Sequence, residues 1–241
     1  VLRDLAVSFP KETLQNQQND WRLEMNQQPG PQGSLVLSYL DLRKAVGIIG
    51  FALPFALALG KILLQGPGIQ SSISGYYYTD MRNVFVGSLC AIGIFLMSTK
   101  GYDLRDEIAG ILACVFAVGV ALFPTAPDVY PTSQDKLIGT VHLSFAALLF
   151  LTFAYFSLAL FTQTTTDNHP TPRKLRRNTV YRVCGYTILA SILLIVVVML
   201  PPVKPLVKPL TPVFWLESLA VVAFGVSWLV KGETILKDQA T

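Results

Sequence analysis

The side chains of this sequence that could do chemistry are few. Ser71-Ser72-Ile73-Ser74-Gly75-Tyr76-Tyr77-Tyr78-Thr79-Asp80-Met81-Arg82 joins hydroxyls, phenols, a carboxylate and a guanidinium just before an apolar run. His142 and Glu217 each lie a few residues inside later apolar runs. Ionisable groups in such places are costly unless they pair or face a cavity, so each is a candidate for function. Asp80, His142 and Glu217 offer two carboxylates and an imidazole, a set that could hold a divalent metal and activate water. Without a metal, His142 and Glu217 could relay protons or grip a lipid headgroup, with Arg82 meeting a phosphate and the tyrosines packing on acyl chains. His142 alone could ligate a pigment or haem. The plainer reading is an Arg82–Glu217 ion pair, with His142 hydrogen-bonded nearby, that fixes how helices pack. The expected ligand-binding set is Ser74, Tyr77, Asp80, Arg82, His142 and Glu217. No catalytic residue or metal ligand is assigned, and no cofactor is specified.

The elements that must position these residues are apolar. The 241 residues are 52% hydrophobic and 14% charged, with a mean hydropathy of +0.49, which is too oily for a water-soluble domain of this size. Six segments read as membrane helices: residues 45–64, 83–98, 108–123, 137–162, 180–200 and 213–230. Pro54 is expected to kink the first, and Tyr76 to Tyr78 to extend the second through the headgroup zone as aromatic anchors. Gly110, Ala113, Ala117 and Ala121 give the third a small-residue stripe that lets a neighbouring backbone approach closely. Cys90, Cys114 and Cys184 fall inside spans and read as small buried hydrophobes. The first forty residues lack the apolar core of a signal peptide, so the first span is expected to direct insertion.

Basic residues set the expected orientation. With a cytoplasmic N-terminus, Arg43, Lys44, Lys100, Arg105, Arg173, Lys174, Arg176, Arg177, Arg182, Lys231 and Lys237 fall inside, against Arg82, Lys136, Lys204 and Lys208 outside. Both termini are therefore expected in the cytoplasm. His142, Glu217, Asp80 and Arg82 then share the outer third of the bundle. On the inner side, Arg173, Lys174, Arg176 and Arg177 form a basic loop suited to anionic lipid heads, opposite the charged turn Lys100 to Glu107. The net charge of +4 is explained by these loops, and nucleic acid is not an expected partner.

Two segments point to partners other than the bilayer. Residues 1–38 form a polar tail whose Leu2, Leu5, Val7, Phe9, Leu14, Trp21 and Leu23 could dock on another subunit. Residues 201–212, with five prolines, are expected to form a stiff polyproline-II connector on the outer side. Residues 39–241 make up the membrane domain.

Ser72-Ile73-Ser74-Gly75-Tyr76-Tyr77, Arg82-Asn83-Val84-Phe85-Val86-Gly87 and Phe214-Trp215-Leu216-Glu217-Ser218 resemble a bacterial family of six-span proteins carrying a domain of unknown function. The likeness covers residues 38–232 and implies the span count without a chemistry. A more distant similarity is to the seven-span alkaline ceramidases and adiponectin-type receptors, which bind zinc through several histidines and an aspartate. Here there are only His142 and His169, and His169 lies in an inner loop, which removes most of the case for a zinc amide hydrolase. The expectation is an all-α, six-helix integral membrane bundle, in a bacterial inner membrane, that is not an enzyme. It acts as an accessory subunit of a larger membrane complex or as a binder of lipid or a small ligand. A membrane-embedded metal-dependent hydrolase and a transporter are the alternatives.

Overall fold

The computed structural model describes residues 31–99, 103–127, 129–163 and 171–236. Residues 1–30, which hold the tail residues expected to dock on a partner, and His169, Lys100 and Lys237 therefore lie outside the described residues. Those described form helices α1 (Pro31–Gln65), α2 (Arg82–Ser98), α3 (Leu104–Leu122), α4 (Ser133–Tyr155), α5 (Pro172–Met199), the one-turn α6 (Lys204–Val207) and α7 (Pro212–Lys231). A 3-10 turn, Ser74–Tyr78, precedes α2; a π-helical segment, Phe156–Leu160, continues α4; and a second 3-10 turn, Lys208–Leu210, precedes α7. No strand occurs among the described residues.

Capping explains where the helices begin. The Asp103 side chain accepts the Arg105 amide hydrogen at the start of α3. Thr132 and Asp135 form a reciprocal capping box at the start of α4, and Thr171 caps α5 with Pro172 in its first turn. These caps set the starts of the helices four to eight residues ahead of the purely apolar windows at 108, 137 and 180. Helix α1 likewise begins at Pro31, so residues 31–38, expected in the tail, are helical.

Two expectations about local structure are corrected. The proline-rich stretch is not an extended connector: Pro205 and Pro209 lie in the first turns of α6 and of the 3-10 turn after it. At the start of a helix a missing amide hydrogen leaves no bond unmade. The chain then reverses at Thr211, which adopts the left-handed conformation (φ 46°, ψ 49°). Tyr76 to Tyr78 do not extend α2 either. Thr79 is extended (φ −121°, ψ 172°) and breaks the helical path between the 3-10 turn and α2.

Four helical stretches, Tyr39–Gln65, Ser133–Leu160, Pro172–Met199 and Pro212–Lys231, are long and apolar enough to cross a membrane. The chain thus has the character of a membrane protein, and the exposed Phe55, Leu63 and Leu193 suit hydrocarbon rather than water. Helix α2 has only 17 residues, and α3 has 19 but opens with Arg105, Asp106 and Glu107. These two fall short of the expected six spans for want of length and for charge.

Close backbone approach holds the bundle. The stripe on α3 is buried as expected at Gly110, Ala113, Ala117 and Ala121. A methyl group built on Gly110 would sit 2.7 Å from the Leu96 carbonyl oxygen of α2. The same device, not singled out in the sequence, joins α1 to α7: a methyl on Gly225 would sit 2.5 Å from the Phe51 backbone nitrogen and 2.8 Å from the Gly47 oxygen. Between α4 and α7, Phe153 and Phe224 stack with centroids 3.6 Å apart. Replacing Gly225 by leucine should therefore cost about 1–3 kcal/mol through overpacking. Gly87→Ala, whose added methyl meets nothing within 4 Å, should be neutral or stabilise by up to about 1 kcal/mol. Thermal unfolding of the two variants in detergent compares them; equal midpoints would contradict the close approach.

Candidate functional site

Past the end of α1, Gly66 and Gly68 take positive φ (+87° and +102°) and turn the chain back. Lys61 Nζ holds this turn by donating to the carbonyls of Gly66 and Pro67, both at 3.2 Å. The 3-10 turn follows, with the Gly75 amide donating to Ser72 O and that of Tyr76 to Ile73 O, both at 3.2 Å. Such a turn leaves its first amide hydrogens without internal acceptors. Glu217, on α7, supplies one: the Ile73 amide donates to its Oε2 at 2.6 Å, and the Ser74 amide also bonds the carboxylate. In the opposite direction, the Phe214 amide in the first turn of α7 donates to Ser71 O at 3.0 Å. The two elements cap each other.

His142 adds a second tie. Its Nδ1 lies 2.6 Å from the Phe123 carbonyl at the end of α3, and its Nε2 lies 2.9 Å from Ser74 Oγ. A carbonyl can only accept, so Nδ1 carries the hydrogen in the neutral ring and Nε2 accepts from the serine hydroxyl. With both nitrogens engaged and the ring buried, a haem or pigment would have to displace Ser74 or break the bond to Phe123.

The three tyrosines separate into three roles. Tyr76 is a fully buried core residue packed against Phe214, not an interfacial anchor, and burial pushes its phenol above the usual value. Tyr77 is half-buried; Arg82 donates to its hydroxyl and holds its guanidinium carbon 4.1 Å from the ring centroid. Tyr78 donates to the Thr125 carbonyl at 2.6 Å and so ties the turn to the α3–α4 connection.

Of the six expected ligand-binding residues, Ser74, His142 and Glu217 come together. Arg82 is exposed and joined to Tyr77, and Asp80 is exposed. The Arg82–Glu217 ion pair is not formed: Arg82 is joined to Tyr77, and Glu217 accepts from the Ile73 amide. The same residues contain no group of three His, Cys, Asp or Glu side chains able to hold a metal, so the Asp80, His142, Glu217 set is not assembled.

Beneath the turn lies a cavity of about 40 Å³, walled by Leu53, Phe85, Leu149 and Phe153 among others, with Ser74 and Glu217 as its polar members. At the opposite end of the bundle, Arg173 and Arg176 of the basic loop are exposed, while Lys174 and Arg177 turn inward. Lys174 Nζ donates to Phe161 O at 3.1 Å, and buried Arg177 donates to Val230 O at 3.3 Å and to the Tyr181 hydroxyl at 3.4 Å. Cations at helix C-terminal carbonyls satisfy groups the helix itself leaves open. Sequence reasoning missed the backbone partners Ile73, Ser71 and Phe123, which no side-chain pattern announces.

No family model, curated protein or solved structure matches the chain. The mutual cap makes a test available. Glu217→Ala removes the acceptor of a buried amide and should cost about 1–3 kcal/mol, whereas Glu217→Gln, which keeps an oxygen, should cost less. Hydrogen exchange at the Ile73 amide should accelerate in Glu217→Ala. Unchanged exchange there would show that the carboxylate does not hold the turn.

Proposed function

We propose that the chain is a non-enzymatic integral membrane protein that binds the hydrocarbon end of a lipid, or a similar small amphipathic molecule, in the cavity beneath Ser74 and Glu217. The observation that carries this reading is the cavity itself: its walls are apolar and come from α1, α2, α3, α4 and α7, with polar groups only where the 3-10 turn closes over it. A cavity needs roughly 10–15 Å³ to hold one water, so this one has room for a short hydrocarbon segment. Because Ser74, His142 and Glu217 are engaged with backbone and with each other, they favour recognition over bond-making chemistry.

In this reading α2 and α3 also cross the bilayer, giving six spans with both termini on the cytoplasmic side of a bacterial inner membrane. Support comes from the gathering of Arg43, Lys174, Arg177 and Lys231 at one end of the bundle, the end that the distribution of basic residues assigns to the cytoplasm. The resemblance to bacterial six-span proteins agrees with it.

A second reading, as an accessory subunit of a larger membrane complex, draws on the opposite end. Tyr130, Leu206 and Leu210 there are 93%, 79% and 69% exposed in the segments that precede α4 and α7. Apolar groups so exposed suit a partner surface.

Native mass spectrometry of the detergent-extracted full chain addresses both readings. The wild type should retain one tightly held lipid or fatty chain, and Ala146→Phe, which fills the cavity from its wall, should retain it several-fold less. Equal retention by a folded Ala146→Phe variant would sink the binding reading. A stoichiometric second protein that is released by Leu206→Glu would support the subunit reading.

A further inference from the structure

The cavity beneath the 3-10 turn has two polar side chains in its lining, Ser74 and Glu217. What they can offer a bound molecule follows from the bonds they already make. Ser74 Oγ lies 2.9 Å from Nε2 of His142, and Nδ1 of that ring lies 2.6 Å from the Phe123 carbonyl. Nδ1 must carry the hydrogen of the neutral ring, so the serine hydroxyl gives its one hydrogen to Nε2. The oxygen keeps only lone pairs to offer. Glu217 is held from the other side: the Ile73 amide donates to its Oε2 at 2.6 Å, and the Ser74 amide donates to the same carboxylate. An ionised carboxylate accepts about four hydrogen bonds and donates none. The same two bonds engage the amide hydrogens of Ile73 and Ser74, the lining residues that belong to the turn.

The other lining residues, among them Leu53, Phe85, Leu149 and Phe153, have apolar side chains. Arg82, the cation expected to answer Glu217, is joined to Tyr77 instead. The polar end of the cavity is thus a set of acceptors that lacks a donor. A ligand group with only lone pairs of its own, a carboxylate or a phosphate, would meet these acceptors unpaired, and burying polar or charged groups in that state is costly. A hydroxyl or an ammonium brings the hydrogen they lack. Ligand pockets take their specificity from a few placed polar groups of this kind, and an unpaired charge that repels the wrong ligand acts as strongly as the bond that holds the right one.

We propose that the cavity selects an apolar chain ending in a hydrogen-bond donor, a hydroxyl or an ammonium, and that Ser74 and Glu217 exclude one ending in a carboxylate or a phosphate. This rests on the reading of the cavity as a site for an amphipathic molecule and adds the class of head that the molecule carries. The donor sits at the turn, between Ser74 Oγ and the Glu217 carboxylate, and the first part of the chain lies below it among the apolar walls. Fatty acids are then outside the set of ligands, while long-chain alcohols and amines are within it.

The test uses the full chain in a non-ionic detergent at about pH 8.5, where octanoate is ionised and octylamine still carries its proton. Binding of octylamine, octanol and octanoate is followed by native mass spectrometry, with Ala146→Phe as the control for partitioning into detergent. In the wild type, octylamine and octanol should each bind at least about tenfold tighter than octanoate, equivalent to about 1.4 kcal/mol. Glu217→Gln keeps an oxygen and adds an amide donor, and should bring octanoate to within about threefold of octanol. Octanoate that binds the wild type as tightly as octanol does, and is lost in Ala146→Phe, would overturn the proposal and leave the cavity reading standing. An unchanged preference in a Glu217→Gln variant that melts cooperatively would also overturn it. Should that variant not fold, the ranking in the wild type decides alone. If Ala146→Phe binds all three molecules as the wild type does, the cavity reading fails and the proposal with it.

Discussion

The bond from the Ile73 amide to Glu217 holds the arrangement of the bundle around the Ser74–Tyr78 turn. The connection between α1 and α2 carries backbone groups into a region walled by apolar side chains, where an unsatisfied amide is expensive. A carboxylate from the last helix meets that need, and the same last helix receives a carbonyl from Ser71 in return. Through Ser74 and His142 the tie extends to α4 and to the end of α3, and through Tyr78 to Thr125. The apolar space below exists because this lid is fastened by polar bonds at its edge and not filled by side chains from above.

The two ends of the bundle are held by groups of opposite character. At the Ser74–Tyr78 end, acceptors meet amide hydrogens at the start of a turn; at the Phe161 end, Lys174 and Arg177 meet carbonyls where helices stop. This is the sense that helix polarity favours, negative groups toward N-termini and positive groups toward C-termini. The placing of Lys174 and Arg177 at those helix ends therefore has a structural reason.

The fold was legible in the sequence to the extent that it follows from apolar runs. Among the described residues, four of the six apolar windows lie in helices long and apolar enough to cross a membrane, and the Gly110 to Ala121 stripe packs as its spacing implies. The starts at Thr132 and Thr171 were written as capping signals that a reading by hydropathy alone passed over. The site was only half legible. Ser74, His142 and Glu217 were identifiable because polar groups in apolar runs need partners, yet their partners are mostly main-chain atoms, which every residue has and no pattern marks. Arg82 and Asp80 were included because they adjoin the cluster in sequence; the break at Thr79 and the Tyr77 ring put Arg82 elsewhere. The proline stretch was misjudged because five prolines suggest extension, whereas Pro205, Pro209 and Pro212 sit in first turns of helices, where a missing amide hydrogen is tolerated.

The π-helical segment at Phe156–Leu160 makes chain length a structural variable. The Phe161 amide bonds the Phe156 carbonyl, one residue further back than in an α-helix. Each residue of an α-helix advances the face by about 100°. A chain one residue shorter through this stretch could close it as ordinary α-helix with Phe161 still present. Because a π-turn takes up one residue more than an α-turn, Phe161 would keep its side toward Tyr181 and Trp228. The segment thus carries one extra residue in the chain without turning Phe161 away from its partners.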